Sequence, residues 1–72
     1  MERSVLVRND DGLVRKLLAE HGGELVTHHT IMSLGLITLS RHEAVNFIMR
    51  NRRLFEYQFT RQRVKYYKVV VP

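Results

Sequence analysis

Apolar positions along the chain follow one period in its first two thirds and another in its last third. Leu13, Val14, Leu17 and Leu18, with His21 beyond them, fall at helical spacing and predict an amphipathic helix over about residues 10–21. Asn9, Asp10 and Asp11 offer N-caps and negative charge where that helix starts. Gly22-Gly23 should end it, because glycine accepts the left-handed conformation that follows a last turn. Leu25-Val26 is long enough only for a bridge-like strand. Thr27 can cap a short second helix carrying Ile31, Met32 and Leu34, with Gly35 closing it and LITL following as an apolar turn. Ser40 and Glu43 then form S-x-x-E, in which each side chain can satisfy the other's orphan amide, so a third helix is expected over about 41–51.

The third helix has two unlike faces. At about 100° per residue, Ala44, Phe47, Ile48 and Asn51 share one face, and His42, Val45, Asn46 and Met49 the other, with Arg50 at its edge. The first face should pack on the earlier helices. The second is polar to mixed and should point outward, unless Val45 and Met49 turn the helix to join the core.

From residue 54 the period drops to two. LFEYQFT places Phe55, Tyr57 and Phe59 on one side, and VKYYKVVV places Tyr67, Val69 and Val71 on one side. Two such runs around a few polar residues predict a β-hairpin. If both apolar sets stay in phase, the loop must hold an odd count. Arg61-Gln62-Arg63 as a three-residue loop pairs Phe55 with Val69, Glu56 with Lys68, and Tyr57 with Tyr67. The Glu56–Lys68 pair is then opposite in charge and favourable. This loop lacks the glycine usual at its left-handed position. The expected fold class is α+β: an arm or strand over residues 1–9, a three-helix unit over 10–51 and a hairpin over 53–71.

Composition bounds the function. Seventy-two residues make one small domain without cysteine, which excludes disulfides, cysteine-ligated zinc and a thiol nucleophile. The apolar runs SVLV and VVV fall far short of the ~20 residues of a membrane span. Localisation in the cytoplasm, on nucleoid or host-cell DNA, is the expectation. The net charge of +5 is unevenly spread. Residues 1–40 hold four basic and five acidic side chains, a net of −1; residues 41–72 hold eight basic and two acidic, a net of +6. A cationic half points to a polyanion such as nucleic acid, or to the solvated surface of a basic protein.

In order and pattern the chain resembles the winged helix-turn-helix family. THHTIMSLGL matches the first helix of the motif, TLSRHEAVNFIMRN its recognition helix, and RLFEYQFTRQRVKYYKVVV its wing, so that the resemblance covers roughly residues 10–71. Two features depart from the pattern: the turn from Gly35 to Ser40 is long, and Arg52-Arg53 replaces the usual glycine before the wing. The resemblance implies a sequence-specific duplex-DNA-binding protein, a transcriptional regulator like the small ones of viruses and plasmids, archaeal ones included. Its recognition helix enters the major groove and its wing touches phosphate or the minor groove. Thr38, Ser40, Arg41, His42, Asn46 and Arg50 would then lie at base edges and flanking phosphates. Arg61 and Arg63 would form the wing tip with Lys65 beside it, and Arg52 and Arg53 would lie along the backbone. Asn46 and His42 should affect specificity, and the wing cations affinity and salt dependence.

Other readings stay open. Val45 and Met49 could be the contact patch of a protein–protein adaptor. Tyr57, Tyr66 and Tyr67, interleaved with Lys65 and Lys68, could stack single-stranded bases or RNA. Ser4–Arg8 could pair across a two-fold axis to give a homodimer, or with the domain's own sheet. The four histidines lack ligand spacing, since His28 and His29 are adjacent, so no metal or cofactor is expected; protonation could still tune DNA affinity. No phosphate loop, carboxylate pair or nucleophile triad is legible, and neither an enzyme nor a small-molecule substrate is expected.

Overall fold

The computed structural model describes residues 10–72. The arm or strand expected over residues 1–9 lies outside the described residues. Within them α1 (Asp11–His21) leads to β1 (Leu25–Val26), α2 (His28–Met32) and α3 (Arg41–Arg50). A 3₁₀ turn (Arg52–Leu54) then enters the hairpin of β2 (Phe55–Arg61) and β3 (Val64–Val69). The architecture is α+β, with three helices and a three-stranded antiparallel sheet in the order β1-β3-β2.

Local chemistry sets the helix starts. Thr27 caps α2: its hydroxyl accepts from the His29 N–H, and its own N–H donates to the Thr30 hydroxyl. At α3 the Glu43 N–H donates to Ser40 Oγ (3.1 Å) and the Ser40 N–H to Glu43 Oε1 (2.9 Å), the expected reciprocal cap. α1 departs from expectation. Asp10 holds the N-cap position, but its side chain makes no capping bond there and reaches α3 instead. The two glycines after α1 also divide their work differently. Gly23 takes the left-handed conformation (φ 81°), whereas Gly22 is extended (φ −57°, ψ 127°). Gly22 is required for closeness, because a Cβ there would stand 2.7 Å from the Leu18 carbonyl oxygen.

The core joins every element. Leu17 from α1, Val26 from β1, Ile31 from α2, and Ala44, Phe47 and Ile48 from α3 meet Phe55 and Val69 of the hairpin. The buried face of α3 is the one its angular pattern predicts. Edge-to-face aromatic contacts run outward from this core: Phe47 on Phe55 (6.1 Å between centroids), Phe55 on Tyr67 (5.9 Å), and Tyr67 on Tyr57 (6.2 Å). Each is worth ~1 kcal/mol beyond area burial, so the series ties the hairpin to α3. Val71, expected in the strand, lies beyond it and is exposed.

The hairpin register corrects the sequence reading in one place. Phe55 pairs with Val69, Glu56 with Lys68 and Tyr57 with Tyr67, as expected. The ladder then shifts, and Phe59 pairs with Tyr66, Thr60 with Lys65 and Arg61 with Val64. A β-bulge at Gln58 absorbs one residue, which turns the expected three-residue loop into a two-residue turn of Gln62-Arg63. The Gln58 side chain folds back to donate to the Glu56 carbonyl oxygen. Cross-strand partners share a face. The bulge therefore moves Phe59 away from Tyr57 and onto Tyr66, where the two rings stack 4.8 Å apart.

Candidate nucleic-acid interface

Parity about the bulge sorts the hairpin side chains onto two faces. Tyr57, Thr60, Lys65 and Tyr67 face α3, and a 2.8 Å hydrogen bond links the Tyr57 and Thr60 hydroxyls. Phe59, Arg61, Val64, Tyr66 and Lys68 occupy the opposite face. The three tyrosines therefore do not form one platform. Arg61 parts from Lys65, although the sequence reading grouped them at the tip.

Between α3 and the inner face of the hairpin runs a groove with two cavities. One, of about 670 Å³, is lined by Arg52, Arg53 and Lys65 around Met49, Tyr57 and Tyr67. The other, of about 230 Å³, lies nearer the hairpin turn, where His28, Arg41, Arg63 and Lys65 surround Val45 and Met49. Neither is lined by a carboxylate among the described residues. Also among the described residues, no ion pair engages Arg41, Arg52, Arg53, Arg63 or Lys65. These cations hold their charge toward solvent on one side of the fold.

The outward face of α3 completes the surface. Val45 and Met49 are 40% and 55% exposed, His42 is exposed and Asn46 half-buried. The helix has not turned them into the core. Thr38 is exposed in the loop before α3, beside Leu36 and Ile37, which are 100% and 79% exposed. The expected apolar turn is thus mostly outside the core, with Leu39 alone of its apolar residues packed against it.

Two expected contact residues are engaged within the protein. The Ser40 hydroxyl caps α3. The Arg50 guanidinium grips Asp10 with two bonds, Nε to Oδ2 at 2.9 Å and Nη2 to Oδ1 at 3.0 Å. Asn51 adds a third bond to Asp10 and a fourth to the Phe47 carbonyl oxygen, fastening the start of α1 to the end of α3. Such a bidentate pair is directional as well as charged. Arg50 therefore serves the position of α3, and a carboxylate offsets its charge.

Two shifted groups lie at the first turn of α3. The Ser40 N–H, and after it the Ser40 hydroxyl, hold the Glu43 carboxyl below its ordinary value. Burial, with the like charges of His29 and Arg41 behind it, holds the His28 imidazole below its ordinary value. The sequence did not mark His28 as a groove residue. Thr27 as N-cap puts it in the first turn of α2, but only the packing of α2 on α3 brings it beside Arg41. Tyr57, Tyr67 and Met49, which the sequence offers as a stacking platform and an apolar contact patch, also line the groove.

The His28 and His29 rings lie 4.1 Å apart and tilted, and no group of three or more His, Asp or Glu among the described residues is placed to hold a metal ion. Among the same residues no helix is long and apolar enough to cross a membrane. Comparison with protein-family models, curated proteins and solved structures returned no match.

Proposed function

We propose that the protein is a winged helix-turn-helix binder of duplex DNA, acting as a transcriptional regulator through sequence-dependent occupancy and without catalytic chemistry of its own. α3 is its recognition helix and the hairpin its wing. One observation carries this reading: the outward face of α3 adjoins a groove that, among the described residues, no carboxylate lines and whose cations have no ion-pair partner. Dimensions agree. Ten residues of helix rise ~15 Å, against a major groove ~12 Å wide.

Within this reading His42 and Asn46 meet base edges, and Val45 and Met49 meet thymine methyls. The Asn side-chain amide bonds adenine at two points, its oxygen accepting from the N6 amine and its NH2 donating to N7, which makes Asn46 the main source of base preference. Thr38 and Arg41 lie at phosphates flanking the helix. Arg52, Arg53, Arg63 and Lys65 hold the strand that passes between helix and wing. Arg61 sits outside the interface, and Arg50 supports it from behind.

Selection from random duplexes, followed by quantitative binding, tests the assignment. Asn46→Ala should relax base preference, while Arg63→Ala should weaken all duplexes alike and reduce the salt slope by about one. Failure of the wild-type protein to enrich any duplex sequence rejects it. The exposure of Val45, Met49 and Tyr57 favours a second reading, an apolar docking surface for another protein. Salt separates the two: phosphate binding falls steeply between 50 and 200 mM, as on the order of six contacts lose ~10³-fold, whereas apolar contact does not weaken.

A further inference from the structure

The smaller cavity collects charge from three separated parts of the chain. His28 comes from the first turn of α2, Arg41 from the first turn of α3, and Arg63 and Lys65 from the hairpin turn and the strand after it. At about 230 Å³ it exceeds by several-fold the ~30 Å³ share of one water, so it has room for a tetrahedral anion together with bridging waters. Its apolar lining from Val45, Ile48, Met49 and Tyr67 offers no acceptor that would compete for the cations, apart from the Tyr67 hydroxyl.

We propose that this cavity is a discrete phosphate site, in which Arg41, Arg63 and Lys65 bind the phosphate oxygens and His28 takes up a proton as the phosphate arrives. Among the described residues, the charged groups that act on His28 or share its cavity are of its own sign: His29 on α2 and Arg41 on α3 act on it, and Arg63 and Lys65 of the hairpin line the cavity with it. Partial burial, with the like charges of His29 and Arg41 behind it, keeps the imidazole neutral more readily than in water. A phosphate reverses the sign of the field, and the imidazolium then adds a charge-assisted hydrogen bond. Proton and phosphate therefore bind cooperatively. A rise of one pH unit in the His28 midpoint on binding tightens the phosphate up to tenfold at acid pH.

The phosphate has two sources of the same chemistry, a duplex backbone or a free phosphate. In the first case the site rests on the duplex-binding reading above. Arg63 reaches it from a turn in which both residues hold positive φ, so the backbone there is strained where the cation is presented.

Titration of the His28 ring by NMR tests the site. Wild-type protein is titrated in chloride, in inorganic phosphate at the same ionic strength, and with a selected duplex. Phosphate should raise the His28 midpoint by about one pH unit. The shift should vanish in the Arg41→Ala, Lys65→Ala double variant and persist in Arg61→Ala, which carries its change on the opposite hairpin face. With duplex the same shift should appear, and a single uncharged methylphosphonate at the contacted position should abolish it, which assigns the source to the backbone. A shift with phosphate in a protein that binds no duplex keeps the site and rejects the DNA reading. Tight duplex binding with no movement of His28 in either titration keeps the DNA reading and overturns the site.

Discussion

At the first turn of α3, the Ser40 and Glu43 amides each find a side-chain acceptor at about 3 Å, whereas at the hairpin turn Gln62 and Arg63 both sit at positive φ, 50° and 68°. The two places bound the same groove and are built on opposite terms. The helix start follows its local preferences and is held from behind by the core. The turn needs the type I′ conformation that Asn-Gly adopts easily, yet carries two long polar side chains at a cost of ~1–2 kcal/mol each. Strain sits where a cation is presented, and local satisfaction sits where a helix must be aimed. A turn selected for stability alone would carry a different sequence, so Arg63 is the residue that most needs a functional explanation.

The contrast can be broken from the helix side first. Phe47 is fully buried beneath α3 and touches Phe55, so Phe47→Ala should destabilise by about 3–5 kcal/mol, read by chemical denaturation. That is most of the stability of a typical small domain, and the groove should be lost with the fold. The turn should respond in the other direction. Gln62→Asn with Arg63→Gly should stabilise the protein by about 1–2 kcal/mol, because both residues then accept their φ. The same change should lower affinity for DNA. Unchanged stability would remove the strain argument, and unchanged affinity would remove the reason for tolerating it. Ser40→Ala should cost about 1 kcal/mol, since the cap bonds are exposed to water.

The smallest effect is that of pH on the free protein. His28 has a folded value below its ordinary 6.5, so the unfolded chain takes the proton first as pH falls. The folded state is therefore at full stability above 6.5 and loses some as pH drops through the folded value. Glu43, with its lowered value, contributes above 4.5 and loses that contribution at lower pH. Denaturation at pH 7.5 and 5.5 should show wild-type protein losing stability and His28→Gln losing less of it. Equal losses would mean that His28 is not held neutral by its surroundings.

The same division explains what could be read in the sequence. The periods of α1 and α3, the Thr27 and Ser40 caps, and the three pairings nearest Phe55 are local or nearly so, and the chain shows them directly. The bulge was hidden because Phe59 is apolar and exposed alternation looks the same on either face of a two-sided hairpin. Once the bulge is overlooked, parity demands the wrong loop length and misplaces Arg61. The grip of Arg50 on Asp10 spans 40 positions and has no local signature, so Arg50 reads as an outward cation. His28 is illegible for the same reason: its importance lies in Arg41 and Lys65, which the fold brings beside it.

Net charge and position are separable on a single strand. Lys65 and Lys68 belong to β3, carry the same charge and point to opposite faces, Lys65 into the groove and Lys68 away from it beside Glu56. Binding of a selected duplex should be measured across a salt series for Lys65→Ala and Lys68→Ala. Lys65→Ala should weaken binding and lower the salt slope by about one, while Lys68→Ala should stay near wild type. Equal losses in the two variants, or the larger loss at Lys68, would contradict it.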